Sequence, residues 1–441
     1  MTCTRRTWIR AIAGAGVMWT AKASSAMPDV THPRATSGDT AVEPDWDVRV
    51  DISVGHKDAD IVGTTDKALQ AAVDYVYRLG GGTVKVLPGT YRMRNSLFLR
   101  TGVRLLGGGV ETILIKEPSM ETTLSADSDW YDQEITLDDA SGFEVGDGIC
   151  LRSKNAHHGG MMVLKRTLVA RSGNRFKIDK ALRENFWTSE SPTVSSLFPV
   201  VTAEEGATDM EIADIAIDGN KANNAHLDGN YGGCIWFQDN SRILMRNVEA
   251  RNNNGDGISW QICHDVAVEN CRSLNNADLG LHPGSGSQRP IMRSNHIEGN
   301  TIGIFFCWGV KYGLAEKNIV RENKTGVSIG HRDNFNWVVR NIVERSGEVG
   351  LLFRPERGEG FTAEGNRIEL NRIADSGGEA AAAVDIQGVT AGNLLAKNEI
   401  VESRAPAQRV AIRIGKEAGD NTLQENTIAG FSKDIEDLRA V

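Results

Sequence analysis

Gly257, Gly280, Gly303, Gly326 and Gly350 recur at spacings of 23, 23, 23 and 24 residues, and each opens a nearly identical phrase. The next residue is Ile258, Leu281, Ile304, Val327 or Leu351, and two positions further stands Trp260, Pro283, Phe306, Ile329 or Phe353. Apolar positions alternating with variable ones mark a short strand. A second pattern lies later in each unit. "VENCRSLNN", "MRSNHIEGN", "AEKNIVREN", "VVRNIVERS" and "AEGNRIELN" place Asn270, Asn295, Asn318, Asn341 and Asn366 at matching positions. Asn tolerates left-handed backbone and bonds neighbouring amides, so stacked copies predict a hydrogen-bonded ladder. A unit of this length cannot bury its apolar face alone and must stack on its neighbours. The pattern therefore predicts an all-β solenoid, a right-handed parallel β-helix rising about 4.8 Å per coil. The leucine-rich repeat has a similar length, but its LxxLxLxxN signature is absent.

The flanking segments fit this architecture. Residues 60–124 are expected to hold a capping helix and the first coils. Thr65 or Asp66 can cap the helix, and Leu69, Ala72, Val73, Val76 and Tyr77 form one apolar face that would cover the open end of the stack. The order helix, then "GGGTVKVLPGTY", then "GVRLLGGG" resembles the opening of the pectate-lyase-like superfamily of single-stranded right-handed β-helices, and the resemblance runs from about Asp60 to Gly430. It implies the fold; for the reaction it implies a choice among lyases, hydrolases, epimerases and phage tailspikes. Residues 125–200 break the period. "EITLDDASGFEVGDGICLRS" and "RTLVARSGNRFKIDKAL" alternate as antiparallel strands with turn signals between them, which predicts a small β insert. The main helix is expected over 201–430, with 431–441 as a C-terminal cap or tail.

The N-terminus reads as a targeting segment. "TRRTWIR" is a twin-arginine pattern, "AIAGAGVMWTA" is a short apolar stretch, and "AKA" and "SSA" offer small-residue cleavage sites. Residues 1–26 are thus expected to be a Tat-type export signal and 27–59 a linker, giving a periplasmic or extracellular bacterial protein. The signal carries Arg5, Arg6, Arg10 and Lys22 and no acid, so its removal takes the formal charge from −9 to −13. An acidic body argues against a nucleic-acid partner, no other segment is apolar enough to span a membrane, and the chain is expected to act as a monomer. Cys150, Cys234, Cys263, Cys271 and Cys307 show no metal-binding spacing and read as small core residues. A Cys263–Cys271 or Cys271–Cys307 bridge stays open for an oxidising compartment.

Repetition also locates the chemistry. Inward columns of a stack must be apolar and alike, while outward columns are free to carry a site. The outward positions and following turns of successive coils offer His282, Gln288 and Arg289; Trp308, Lys311 and Tyr312; His331, Arg332 and Asp333; and Arg354, Glu356 and Arg357. Together they predict a groove roughly 15–20 Å long. Cations, imidazoles and aromatics gather there on an acidic protein, which suits an acidic polysaccharide. Tyr231, in "HLDGNYGG", is a further candidate contact at the groove's lower end.

β-Elimination at a uronic acid needs a neutraliser for the carboxylate, a base for the C5 proton and an acid for the leaving oxygen. His331, Lys311 and Arg332 are the candidate acid and base groups, with His282 orienting a partner or binding. Arg354 and Arg289 would neutralise, and Gln288, Trp308, Tyr312, Asp333, Glu356 and Tyr231 would contact substrate. Within the superfamily, the resemblance implies an Arg or Lys base with Ca²⁺ or basic residues on the carboxylate. Hydrolysis is the rival and needs two carboxylates. "NGDGI" (254–258) resembles the first element of the polygalacturonase-type pattern and gives Asp256. "ADLGL" keeps a single acid, Asp278, and Ile302 stands where His is expected, so Asp256 reads as a turn residue. An epimerase shares the first step of a lyase, and an exported binding or structural β-helix is the non-enzymatic alternative. No cofactor is fixed by the sequence; Ca²⁺ on scattered carboxylates such as Asp218, Asp256 and Asp278 stays open.

Overall fold

The computed structural model describes residues 48–155, 157–355, 358, 360–404 and 407–439. The expected export signal lies outside these residues, as do most of the linker and two of the groove candidates, Glu356 and Arg357.

The chain winds into a right-handed parallel β-helix. One parallel sheet of eleven strands collects the same segment from every coil, from Leu97–Leu99 through Val201–Ala203, Ile235–Gln238, Ile258–Gln261 and Leu279–Pro283 to Lys433–Asp437. Its register is the one the glycine repeat dictates. Ile258 pairs with Leu281, Leu281 with Ile304, Ile304 with Val327, and Val327 with Leu351. These residues, with Trp260, Phe306, Ile329 and Phe353 two positions on, are buried in one continuous core. Stacking continues to Asp437, so the expected C-terminal tail forms part of the last coil.

Three-residue strands joined by left-handed kinks build the other side of each coil. Trp337–Val339 and Ile342–Glu344, for example, flank Arg340 at φ 54°. A buried Asn usually follows the kink and ties one coil to the next, and the structure has three such ladders. In the longest, the Oδ1 atoms of Asn318, Asn341, Asn371, Asn398 and Asn426 each accept the backbone N–H and side-chain N–H of the Asn one coil before. Asn336, Asn366, Asn393 and Asn421 form the second. Asn276, Asn300 and Asn323 form the third. Two expected rungs move. Asn270 occupies the kink itself at φ 53°, leaving Cys271 at the foot of the long ladder. Asn366 belongs to the neighbouring ladder, because the motif recurs five residues later within the same coil and Asn371 takes its place.

The helix α1, Asp66–Arg78, is the only α-helix among the described residues. It buries Leu69, Ala72, Val73 and Val76 against the first coils, with Tyr77 at the edge. Thr65 sits at its N-cap without a side-chain hydrogen bond, and the Asp66 carboxylate instead accepts the Arg94 N–H at 3.2 Å. No helix among the described residues is long and apolar enough to cross a membrane.

The insert is a six-stranded antiparallel sheet spanning Glu121–Thr123 to Thr193–Ser195. Its own core includes Ile149, Leu151, Leu168, Phe176 and Phe186. Three cations, two from the insert and Lys116 from the strand before it, hold the loop at 219–232. Lys116 donates to Asn224 Oδ1 at 2.6 Å, Arg152 to the His226 carbonyl at 3.0 Å, and Lys165 to the Tyr231 carbonyl. Burial lowers the Lys116 and Lys165 ammonium groups to about 7. Each lies over an aromatic ring, Phe198 for Lys116 and Trp236 for Lys165. Cys150, Cys234, Cys263, Cys271 and Cys307 are all free thiols, so neither bridge left open by the sequence forms.

Candidate active site

Successive coils place Ser259, His282, Phe305 and Ser328 in one outward column of the eleven-stranded sheet. Two adjoining hollows open over this column and the turns after it. The first, of about 380 Å³, is lined by Ser285, Gln288, Trp308, Gly309, Lys311, His331 and Arg332. The second, of about 570 Å³, includes His226, Asp228, Asp256, Asp278, His282, Phe305 and Cys307 in its wall. Ser285 and Trp308 line both, so the hollows are two lobes of one groove.

In the first lobe the stack does what the repeat predicts. Gln288 and Lys311 are bridged in register from one coil to the next. The Lys311 ammonium has no hydrogen bond or ion pair with any described residue. His331 is buried between aromatics, stacked on Trp308 at 4.4 Å between ring centroids and 5.2 Å from Phe361. The Arg332 guanidinium lies 4.2 Å from the Phe361 ring centroid and donates to the Gly360 carbonyl. His331 and Arg332 both adopt left-handed backbone, at φ 34° and 64°. Such conformations cost energy and persist where the surroundings impose them. Here Asp333 supplies the constraint.

Asp333 is a buried brace that does not reach the groove. Its carboxylate accepts the N–H groups of Gly309, Val310 and Gly330, each at 2.9 Å, and pairs with Arg354 at 3.2 Å. Burial pushes it up to about 7 even against the pull of Arg354 and those N–H groups. Arg354 is likewise committed to the scaffold. It donates to Ser328 Oγ and the Phe306 carbonyl, both at 2.8 Å, and covers the Phe305 ring.

The structure also moves Arg289, Tyr312 and Tyr231 out of the site. Arg289 and Tyr312 occupy left-handed corner positions where the chain turns onto the next face. Arg289 there makes an exposed two-bond pair with Asp265, and Tyr312 stacks on Phe335. Tyr231 packs against a small cluster of Cys150, Leu197 and Leu227 beneath the insert.

The second lobe holds two carboxylate–imidazole pairs. Asp256 and His282 are fully buried, and His282 Nδ1 lies 2.7 Å from Asp256 Oδ2. Burial raises the Asp256 carboxyl, while the charge and hydrogen bond of His282 pull it back. For His282, burial favours the neutral ring. The Asp256 charge and hydrogen bond, helped by Cys307, outweigh it and raise the imidazole to about 9. The loop around Gly229 seals this pair from above. Its carbonyl accepts Ser259 Oγ at 2.9 Å, and a side chain at Gly229 would collide with the Asp256 carboxylate. Asp256 is therefore a buried partner of His282 and not the simple turn residue expected. Nearer solvent, His226 Nε2 lies 2.6 Å from Asp278 Oδ2.

Sequence reasoning missed His226, Cys307 and Phe361. His226 and Phe361 sit in segments outside the strand period, so no column marks them, and Cys307 has the sequence character of a small core residue. The carboxylates left open for Ca²⁺ have separate partners: Asp218 pairs with Arg251, Asp256 with His282, and Asp278 with His226. Among the described residues no group of three or more His, Cys, Asp or Glu side chains is placed to hold a metal ion.

A family model described as "Right handed beta helix region" matches residues 213–368. No curated protein matches the chain by sequence. Among solved structures, the mannuronan C-5 epimerase AlgE4 A-module of Azotobacter vinelandii superposes with a TM-score of 0.54 at 15% identity, over 87% of this chain and 97% of that one. PfbA, a surface adhesin of Streptococcus pneumoniae, superposes with a TM-score of 0.50 at 12% identity, over 87% and 91%. An enzyme and an adhesin at such identities are likenesses of fold. By repeat, register and architecture, the chain is a right-handed parallel β-helix.

Proposed function

We propose that the protein is an exported enzyme that cleaves an acidic, uronate-bearing polysaccharide by β-elimination in this two-lobed groove. The observation that carries the proposal is the first lobe. There an ammonium without a described partner, a guanidinium and an imidazole line one hollow on a chain whose net charge is −9. Such a lobe offers a local attraction for a sugar carboxylate against an acidic background.

In this reading Lys311 and Arg332 neutralise the uronate carboxylate, which acidifies the adjacent C5–H bond. His331 takes the C5 proton. The electron pair forms the C4–C5 double bond as the C4–O bond breaks, and the departing oxygen takes its proton from water in the groove. Trp308, shared by both lobes, supports the sugar, and the leaving segment lies in the second lobe beside His226 and Asp278. His282 holds the wall of that lobe in place through Asp256. Hydrolysis is less well served. It needs two carboxylates acting across one bond, whereas Asp256 is buried against His282 and Asp278 is engaged by His226. The twin-arginine leader supports action in the periplasm or outside the cell.

A panel of uronate polymers tests the proposal. Elimination produces unsaturated ends that absorb in the ultraviolet. New reducing ends without absorbance would mark hydrolysis, and inversion at C5 without chain scission would mark an epimerase. Binding with no change in any polymer would overturn the enzymatic reading.

A further inference from the structure

The groove does not end at the second lobe. A third hollow, of about 490 Å³, adjoins it, and Thr301 lines both. The Thr301 hydroxyl donates to the Ala277 carbonyl at 2.8 Å. Ala277 belongs to the third wall, and its neighbour Asp278 belongs to the second. The three hollows together cross the eleven-stranded sheet from one edge to the other. Ser285, Trp308 and His331 of the first lobe follow the strands Leu279–Pro283, Ile302–Phe305 and Thr325–Ile329, whereas Ala277, Thr301 and Lys324 of the third precede them. A strand of this length spans about 15 Å, so the two outer hollows are further apart than one sugar ring is wide.

Charge changes sign twice along this path. The described wall of the first lobe carries Lys311, His331 and Arg332 and no carboxylate. The second carries Asp228, Asp256 and Asp278 against His226 and His282. The third carries Lys221, Lys324 and Arg345 against Glu322 alone. Arg345 pairs with Glu322 at 3.0 Å, and Lys221 donates to the neutral Asn275 carbonyl. The Lys324 ammonium is exposed and has no hydrogen bond or ion pair with any described residue. The third wall therefore keeps a surplus of positive charge on an acidic chain. A sugar carboxylate is attracted to either end of the groove and repelled from its middle.

We infer that the third hollow is a second uronate subsite, and that the polymer this groove takes alternates uronates with uncharged sugars. The inference rests on the reading of the first lobe as a uronate site. One uronate lies in the first lobe beside Lys311 and Arg332. The uncharged unit crosses the second lobe past Asp228 and Asp278, where a carboxylate would meet like charge. The next uronate reaches Lys324 and Lys221. A homopolymer of uronates must place a carboxylate in that acidic middle, which counts against it at every register.

Native gels cast with unsulfated polymers read binding by the full-length protein without any need for turnover. Homopolymers, polygalacturonate and polymannuronate, are compared with alternating polymers, hyaluronan and unsulfated chondroitin, at equal uronate concentration. The alternating class should retard the protein at concentrations at least about tenfold lower. Lys324→Glu should weaken that retention about tenfold, and Lys324→Arg should keep it. A disaccharide of one uronate and one uncharged sugar is too short to reach Lys324. It should bind wild type and Lys324→Glu equally in calorimetry, which a general loss of structure would not allow. Homopolymers held as tightly as alternating ones, or retention indifferent to Lys324→Glu, overturns the inference whether or not any polymer is cleaved. Retention that depends on Lys324 without formation of unsaturated ends supports the subsite and removes the elimination instead.

Discussion

The two lobes of the groove use their charged groups in opposite ways. In the first, Lys311 is not paired with a described residue, and the groups around it are held by backbone turns and aromatic stacking. In the second, every carboxylate–imidazole contact is closed within the protein, and the deepest is sealed beneath Gly229. Charges left open are available to a ligand, whereas charges closed on one another mainly hold the wall. The first lobe should therefore govern activity and the second should govern stability.

Four experiments can break or sharpen that contrast. Lys311→Ala and His331→Ala should each lower turnover of the preferred polymer by about 10²–10⁴-fold. Thermal unfolding should stay close to wild type for Lys311→Ala, which removes no hydrogen bond or ion pair to a described residue. Full activity in both variants would remove the first lobe from the mechanism. Asp256→Asn should act the other way round and destabilise the fold by about 3–5 kcal/mol, because it strands a buried imidazolium. Urea unfolding measures this, and an unchanged midpoint would mean the pair is not a structural element.

The third experiment concerns pH. The folded protein favours the charged form of His282, raised from 6.5 to about 9. Its stabilising contribution is therefore complete below about 6.5 and lost as pH rises through about 9. The stability difference between wild type and His282→Gln should narrow over that window by about 3 kcal/mol, and a gap that stays constant or widens would contradict the assignment. The smallest effect is expected at the corner. Arg289→Ala removes an exposed pair with Asp265 and should change stability by less than about 1 kcal/mol and leave activity intact. A large loss of activity there would extend the groove onto the adjacent face.

How far the site could be read from sequence depends on where column counting applies. Within the strands it works, because parallel register is fixed by the core: His282 faces outward because Leu281 must face inward. It also reaches the start of the turns, where Gln288 and Lys311 remain in bridge register. It fails one residue later. The left-handed positions at Arg289, Tyr312 and Phe335 turn the chain through a corner, which a one-dimensional offset cannot represent. It also fails for Asp333, whose side chain curls back to collect three N–H groups. His226 was out of reach for a different reason. Its loop is placed by Lys116 at the end of an early β-helix strand and by Arg152 and Lys165 of the insert, contacts that leave no periodic mark. The coil-length repeat predicts one Asn ladder where there are three, because the motif also repeats at five residues within a coil.

The long ladder shows how such a molecule can change. Its rungs from Asn295 to Asn426 lie 23, 23, 30, 27 and 28 residues apart, yet each makes the same backbone hydrogen bond to the next. The three-residue strands around the rungs keep their length, so the surplus is confined to the turns on either side of the groove-bearing strand. A lineage can thus add or delete residues along the rim without disturbing the spine. New specificities become a matter of rim length, and the cost to folding of exploring them stays low.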